Sequence, residues 1–114
     1  MTPDDISKWA QTLHKARLNK EPIEQISDKI SEFKREDAYA IQEAGIGLRE
    51  SDGEKLIGLK MGLTSEAKRK QMDLDSPLYG ELTDKMEISN GGTYKLAPQI
   101  HQKIEPEVAF LISK

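Results

Sequence analysis

The sequence predicts an α+β fold in which a helical N-terminal layer is followed by short, mixed β-strands. Up to Gly53, apolar residues recur every three or four positions, which is the period of an amphipathic helix. After Gly53 they occur in short runs bounded by glycine, a pattern typical of strands. The 114 residues, 36% hydrophobic and 32% charged, suit one domain with a thin core. We therefore expect a single domain, mainly helical over 1–53 and mainly strands over 54–114.

Three helices are predicted in the first half of the chain. The first begins at a cap supplied by Thr2 or Asp4 and ends before Pro22. A short second helix is predicted over 23–30 and a third over 33–53, where Gly53 favours a helix end. The apolar positions of the first helix are Ile6, Trp9, Ala10, Leu13 and Ala16.

The second half is predicted to contain one short helix among five strands. The helix is expected over 64–71, where Thr64 or Ser65 can cap it. A turn is expected at 89–92, which reads Ser-Asn-Gly-Gly. The strands are predicted over 56–61, 78–82, 86–88, 93–96 and 104–112.

Composition excludes several classes of function. The net charge of −3 comes from interspersed charges, which argues against a nucleic-acid footprint and a polybasic membrane patch. There is no cysteine, so disulfides, thiolate metal sites and cysteine nucleophiles are excluded. The start of the sequence lacks the pattern of a secretory signal, and no stretch approaches the length of a membrane span. We expect a soluble, cytoplasmic protein.

Two glutamates near the end of the sequence form the first candidate site. In a strand, Glu105 and Glu107 would lie on one face, with apolar residues on the other. Two neighbouring carboxylates repel one another, so the pair is either solvated or holds a cation. A solvated strand face is the more common explanation for such spacing. The alternative is a site for a hard divalent cation such as Mg²⁺ or Mn²⁺.

Lys60 and the turn after it form the second candidate. Gly58 and Gly62 flank Lys60 on its face of the predicted strand, which leaves room for a ligand to approach the ammonium. The common alternative is a surface lysine on an edge strand. The turn through Leu63, Thr64 and Ser65 opens a helix, whose free N–H groups attract anions such as a substrate carboxylate. Ordinary helix capping is the more frequent role of such residues.

Three motifs resemble, in order and spacing, the fumarylacetoacetate hydrolase superfamily. They are 58–65 (GLKMGLTS), 76–80 (SPLYG) and 103–110 (KIEPEVAF). Within the superfamily they look most like the 4-oxalocrotonate decarboxylases and the 2-oxopent-4-enoate hydratases of aromatic meta-cleavage pathways. Met61 after the lysine and the PLYG run resemble the decarboxylase branch more closely. The fold implied is the N-terminal part of the fumarylacetoacetate hydrolase-like fold, without most of the β-rich catalytic domain.

The resemblance also implies roles for individual residues. Glu105 and Glu107 would be two of three carboxylate ligands of a catalytic Mg²⁺ or Mn²⁺, the third being a glutamate further along in the family. Lys60 would be the active-site lysine. The residues expected to bind substrate are Leu63, Thr64, Ser65 and Tyr79.

The function implied is the decarboxylation of 2-oxohex-3-enedioate (4-oxalocrotonate) to 2-hydroxypenta-2,4-dienoate and CO₂. The expected partners are a small 2-oxo dicarboxylate, further copies of the chain in a homo-oligomer and the pathway hydratase. Three alternatives stay open: 2-oxopent-4-enoate hydratase activity, an inactive fragment that self-associates through strand edges, and a helical interaction domain whose Lys60 and glutamates are merely solvated.

Overall fold

The structure is a computed structural model that describes residues 1–97 and 99–113. Its fold is α+β, as predicted, with two long helices followed by a two-stranded sheet. In chain order the elements are α1 (Pro3–Asn19), α2 (Arg35–Ser51), β1 (Leu56–Gly62), α3 (Glu66–Gln71) and β2 (Leu78–Thr83). Short 3-10 turns at Ile26–Asp28 and Asp84–Met86 precede α2 and follow β2. None of the described helices combines the length and the apolar composition that a membrane span needs.

Helices α1 and α2 pack against each other and form the helical layer. The predicted cap of α1 is a capping box, in which the Thr2 hydroxyl accepts from the Asp5 N–H at 3.2 Å and the Asp5 carboxylate accepts from the Thr2 N–H at 3.1 Å. Ala10 on α1 and Ile41 on α2 are only 2% and 3% exposed. The helical spacing seen in the sequence therefore produces the buried part of this layer.

Strands β1 and β2 form an antiparallel ribbon that α2 contacts on one side. Lys60 is paired with Gly80 and Met61 with Tyr79 in the strand register. The ring of Tyr79 stacks on Tyr39 of α2 with the ring centroids 4.5 Å apart, and the Tyr39 hydroxyl accepts a hydrogen bond from the Tyr79 N–H at 3.3 Å. The ribbon is thereby fixed to the helical layer next to the position that faces Lys60.

A second connection between ribbon and helices is a buried polar cluster, here called the Glu54 junction. The Glu54 side chain, 8% exposed, accepts hydrogen bonds from the Thr83 hydroxyl at 2.5 Å and from Arg49 Nη1 at 3.0 Å. Arg17 Nη2 lies 3.9 Å from the second Glu54 oxygen. Thr83 itself is fully buried. The junction thus joins the end of β2 to both long helices.

Several predicted elements are confirmed and others are wrong. Both long helices, the short helix at 64–71 and the strands at 56–61 and 78–82 are present. The predicted helix over 23–30 is only the 3-10 turn. The strands predicted over 86–88, 93–96 and 104–112 are wrong, because within residues 1–97 and 99–113 none of these segments pairs with a strand. The proportion of strand over 54–114 is therefore lower than predicted, and the single-domain organisation stays a prediction.

The missing strands have a physical explanation. The turn predicted at 89–92 does form, since the Gly92 N–H donates to the Ser89 carbonyl at 2.8 Å. Its flanking segments do not form a ladder, and the backbone after Asp84 turns into a 3-10 conformation first. A strand exists only where a neighbour supplies hydrogen bonds, whereas alternation in sequence describes only the direction of the side chains.

Candidate functional site

The candidate site is built on Lys60, which lies near the middle of β1. Its Nζ donates to Glu105 Oε2 at 2.8 Å and to Glu107 Oε1 at 2.6 Å. The two glutamates are two residues apart in the chain, and both carboxylates reach the same nitrogen although they lie outside any strand. The structure thus brings together the lysine and the two acids that the sequence analysis singled out.

The electrostatics of this cluster follow from its ion pairs. The hydrogen bonds that Lys60 donates to the Glu105 and Glu107 carboxylates raise the pKa of Lys60 above its ordinary value. The same contact with Lys60 lowers the pKa of Glu105. The side chains of Lys60, Glu105 and Glu107 are 44%, 64% and 45% exposed, so the cluster is open to solvent. The cluster consists of one ammonium held between two carboxylates.

The surroundings of Lys60 leave space for a ligand. A Cβ added at Gly58 or Gly62, the glycines that flank Lys60 on its face, would meet no atom within 4 Å. A side chain at either position would occupy that space. The site is therefore an open surface, and the cleft of about 440 Å³ lined by Met1, Trp9 and Asp37 lies elsewhere.

The turn after β1 is held by an arginine that the sequence analysis missed. Arg69 Nη1 donates to the carbonyls of Leu63 at 3.2 Å and Thr64 at 2.7 Å. Leu63 has a φ of +53°, which is a left-handed conformation and unfavourable for a leucine. Ser65 caps α3, and its hydroxyl accepts from the Lys68 N–H at 3.5 Å. These contacts account for Leu63, Thr64 and Ser65 as turn and cap residues, while their role in substrate binding stays a prediction.

Tyr79 is not brought together with Lys60. Because Tyr79 is paired with Met61, and neighbouring residues of a strand point to opposite faces, its side chain lies on the face opposite that of Lys60. Its ring is instead stacked on Tyr39. The predicted role of Tyr79 in substrate binding therefore finds no support from proximity to the lysine.

Glu105 and Glu107 meet part of the requirements of a site for a divalent metal ion. Glu105 and Glu107 supply oxygen donors that already share one cationic atom, which suits a hard cation. Over residues 1–97 and 99–113 there is no group of three or more histidine, cysteine, aspartate or glutamate side chains placed to hold a metal ion. Glu105 and Glu107 therefore fit as two ligands of a divalent ion, and further ligands would be needed to complete the site.

The chain is similar in sequence to 4-oxalocrotonate decarboxylases and to 2-keto-4-pentenoate hydratases. The chain is 35% identical over 97% of its length to a 4-oxalocrotonate decarboxylase of Pseudomonas sp. (strain CF600). It is 39% identical over 93% of its length to one of Pseudomonas putida, and 33% identical over its full length to a 2-keto-4-pentenoate hydratase of Paraburkholderia xenovorans (strain LB400). It spans about two fifths (40–42%) of the length of these curated relatives. No protein-family model matches the chain.

Solved structures give the same result. The 4-oxalocrotonate decarboxylase from Pseudomonas putida G7, complexed with magnesium and adipate, aligns with a TM-score of 0.71 and 36% identity over 75% of this chain and 32% of that one. The same enzyme complexed with calcium and acetate aligns equally well. The resemblance to 4-oxalocrotonate decarboxylases and 2-keto-4-pentenoate hydratases predicted from the motifs is thus confirmed, and the chain corresponds to the N-terminal part of such proteins.

Proposed function

We propose that this chain contributes the lysine and two metal-binding carboxylates of a metal-dependent carbon–carbon lyase that decarboxylates 2-oxohex-3-enedioate. The observation that carries the proposal is the contact of Lys60 Nζ with both Glu105 and Glu107. The similarity to 4-oxalocrotonate decarboxylases, one of them solved in complex with magnesium and the dicarboxylate adipate, supports the metal and the substrate class.

Glu105 and Glu107 would hold the metal, for which we propose Mg²⁺ or Mn²⁺. When bound, such an ion supplies Lewis-acid chemistry at a carbonyl oxygen. The third ligand would come from outside the residues described. Glu105 and Glu107 would supply only part of the six or more oxygen ligands that a hard cation takes.

The lysine would act on the anion formed during the reaction. Loss of the distal carboxylate as CO₂ leaves its electron pair in the conjugated chain, and protonation of the resulting dienolate oxygen gives 2-hydroxypenta-2,4-dienoate. The Lys60 ammonium can stabilise that negative charge or donate the proton. The open space beside Gly58 and Gly62 would admit the substrate to the ammonium. The turn at Thr64 and Ser65 would receive a substrate carboxylate.

The metal-binding part of the proposal is tested by titrating the chain with Mg²⁺ and Mn²⁺ in a calorimeter. We expect binding that weakens about tenfold or more in Glu105→Gln and in Glu107→Gln, because loss of even an outer-shell partner weakens metal sites to this extent. Glu87→Gln is the matched control, since Glu87 is also exposed but lies outside the cluster. Equal affinity in all four proteins would contradict the proposal.

The relatives include hydratases, so a second measurement has to distinguish decarboxylation from hydration. A decarboxylase releases CO₂ from 2-oxohex-3-enedioate, whereas a hydratase adds water to 2-hydroxypenta-2,4-dienoate. Met61 and the PLYG run favour the decarboxylase. We also propose that the active protein is a cytoplasmic homo-oligomer that associates with the pathway hydratase, as the expected partners imply.

A second candidate, self-association of this chain as a non-catalytic module, is favoured by its exposed surface. The accessible surface is 9584 Å², compared with about 6,300 Å² for a compact monomer of this mass. The difference exceeds the roughly 1,600 Å² buried in a standard protein interface. Exposed apolar side chains concentrate after residue 103, where Val108, Phe110 and Leu111 are 84%, 83% and 100% exposed. A second copy of the chain is the proposed occupant, and the mass in solution tests it.

A further inference from the structure

We propose that Lys60 is an internal counter-ion that competes with the divalent cation for Glu105 and Glu107, so that metal binding releases the ammonium toward the substrate. The inference rests on the proposed function, in which the same two carboxylates hold the metal. It adds that the lysine and the metal occupy the carboxylates alternately. Binding of the metal to the carboxylates would then free the Lys60 ammonium in the same step.

The first argument is the position of the ammonium. Lys60 Nζ contacts one oxygen of each glutamate, at 2.8 and 2.6 Å. These are the lengths of charge-assisted hydrogen bonds, so the nitrogen occupies the place between the two acids that a shared cation would take. An ammonium and a divalent ion cannot both stand between the same two oxygen atoms. Binding of the metal there requires the lysine to move.

The second argument is that the lysine has somewhere to go. Lys60 is 44% exposed, and its four-carbon stem permits several directions for the ammonium. On both sides along its strand face the glycines at 58 and 62 leave open space. The released ammonium would remain beside the metal-binding carboxylates, where the anionic substrate is proposed to bind.

The third argument concerns the strength of the two ion pairs. Because all three side chains are substantially exposed, each ion pair is weak. Together, two exposed pairs of this kind change an equilibrium constant by roughly two- to thirtyfold, and here that constant is the dissociation constant of the metal. Such a contact is strong enough to lower the affinity for metal measurably and weak enough for the metal to displace it.

The test compares Mg²⁺ affinity in the wild-type chain and in Lys60→Met, which keeps an unbranched side chain but removes the charge. We expect Lys60→Met to bind Mg²⁺ about two- to thirtyfold more tightly. Lys85→Met is the matched control, because it removes one exposed positive charge outside the cluster and should leave the affinity unchanged. Equal or weaker binding in Lys60→Met, or the same gain in Lys85→Met, overturns the inference.

A second readout follows the lysine itself. In the wild-type chain, saturation with Mg²⁺ should shift the NMR signal of Lys60 Nζ and leave that of Lys85 in place. An unmoved Lys60 signal at saturation overturns the inference. If Glu105→Gln and Glu107→Gln abolish Mg²⁺ binding while Lys60→Met leaves it unchanged, the inference alone fails. If the glutamate variants bind Mg²⁺ as the wild type does, the proposed function fails.

Discussion

Replacing Thr83 with valine tests whether the Glu54 junction holds the ribbon to the helices. Thr83 is fully buried, and its hydroxyl donates to Glu54 at 2.5 Å. Valine has nearly the same shape, so Thr83→Val removes the hydrogen bond and leaves the packing largely intact. The Glu54 carboxylate would keep its contact with Arg49 at 3.0 Å.

The expected loss follows from the charge on the acceptor. A hydrogen bond to an ionised group contributes about 1.5–3 kcal/mol, roughly twice a neutral one. Because Glu54 is only 8% exposed, water cannot readily replace the lost donor. We therefore expect Thr83→Val to lower the free energy of unfolding by about 2 kcal/mol. For a chain of this length that corresponds to a fall of roughly 8 °C in Tm.

The pH dependence of this loss provides a second check. The Thr83 hydroxyl is the largest cause that lowers the pKa of Glu54 below its ordinary value of 4.5. A lowered pKa in the folded state means that Glu54 contributes its full stability above pH 4.5 and loses it as the pH falls through the folded pKa. The difference between Thr83→Val and the wild type should therefore be largest near pH 7 and shrink under acid conditions.

Urea unfolding followed by far-UV circular dichroism measures both effects. Thr93→Val is the matched control, because Thr93 is exposed and its replacement should change the free energy of unfolding by less than about 0.5 kcal/mol. A loss in Thr83→Val no larger than that of the control would refute the role of the junction. A loss that is independent of pH between 7 and 3 would show that the charge of Glu54 is not involved.

Two further predictions concern the turn after β1 and the exposed surface. In urea unfolding, Leu63→Gly should be more stable than the control variant Leu59→Gly by about 1 kcal/mol. The reason is that a leucine in the left-handed conformation is strained by about 1–2 kcal/mol, whereas glycine is not. Equal stability of the two variants would contradict this prediction. In sedimentation equilibrium the chain should have the mass of at least two copies, and Leu111→Lys should shift it toward one copy, because Leu111 is fully exposed. A monomeric wild-type chain would contradict self-association.

Local sequence signals were sufficient for the elements that depend on neighbours in the chain. The Thr2 and Asp5 capping box and the three- and four-residue spacing after it specify α1, because both act within one or two turns of helix. The apolar run at 56–61 specifies β1 for a similar reason. Its partner β2 was also predicted, although the pairing register could not be.

Elements that depend on partners far away in the chain were harder to predict from the sequence. The alternation at 104–112 describes side-chain directions but supplies no hydrogen-bonding neighbour, so the predicted strand is absent. The Glu54 junction was missed because Glu54 and Thr83 are 29 residues apart and neither has a distinctive local pattern. Tyr39 was missed for the same reason, since its role depends on the stack with Tyr79. The meeting of Lys60 with Glu105 was anticipated only through the family resemblance.

The two halves of the candidate site are held by different kinds of contact. Lys60 lies on a strand whose ribbon is fixed by the buried Glu54 junction and by the Tyr39 stack. Glu105 is tied to that strand through the exposed ion pairs of the lysine, and the apolar side chains after it are almost fully exposed. Buried contacts to a charged group are stronger than exposed ion pairs. The strand that carries Lys60 should therefore keep its place while the ammonium at the end of the side chain is displaced from the carboxylates, as the proposed competition requires.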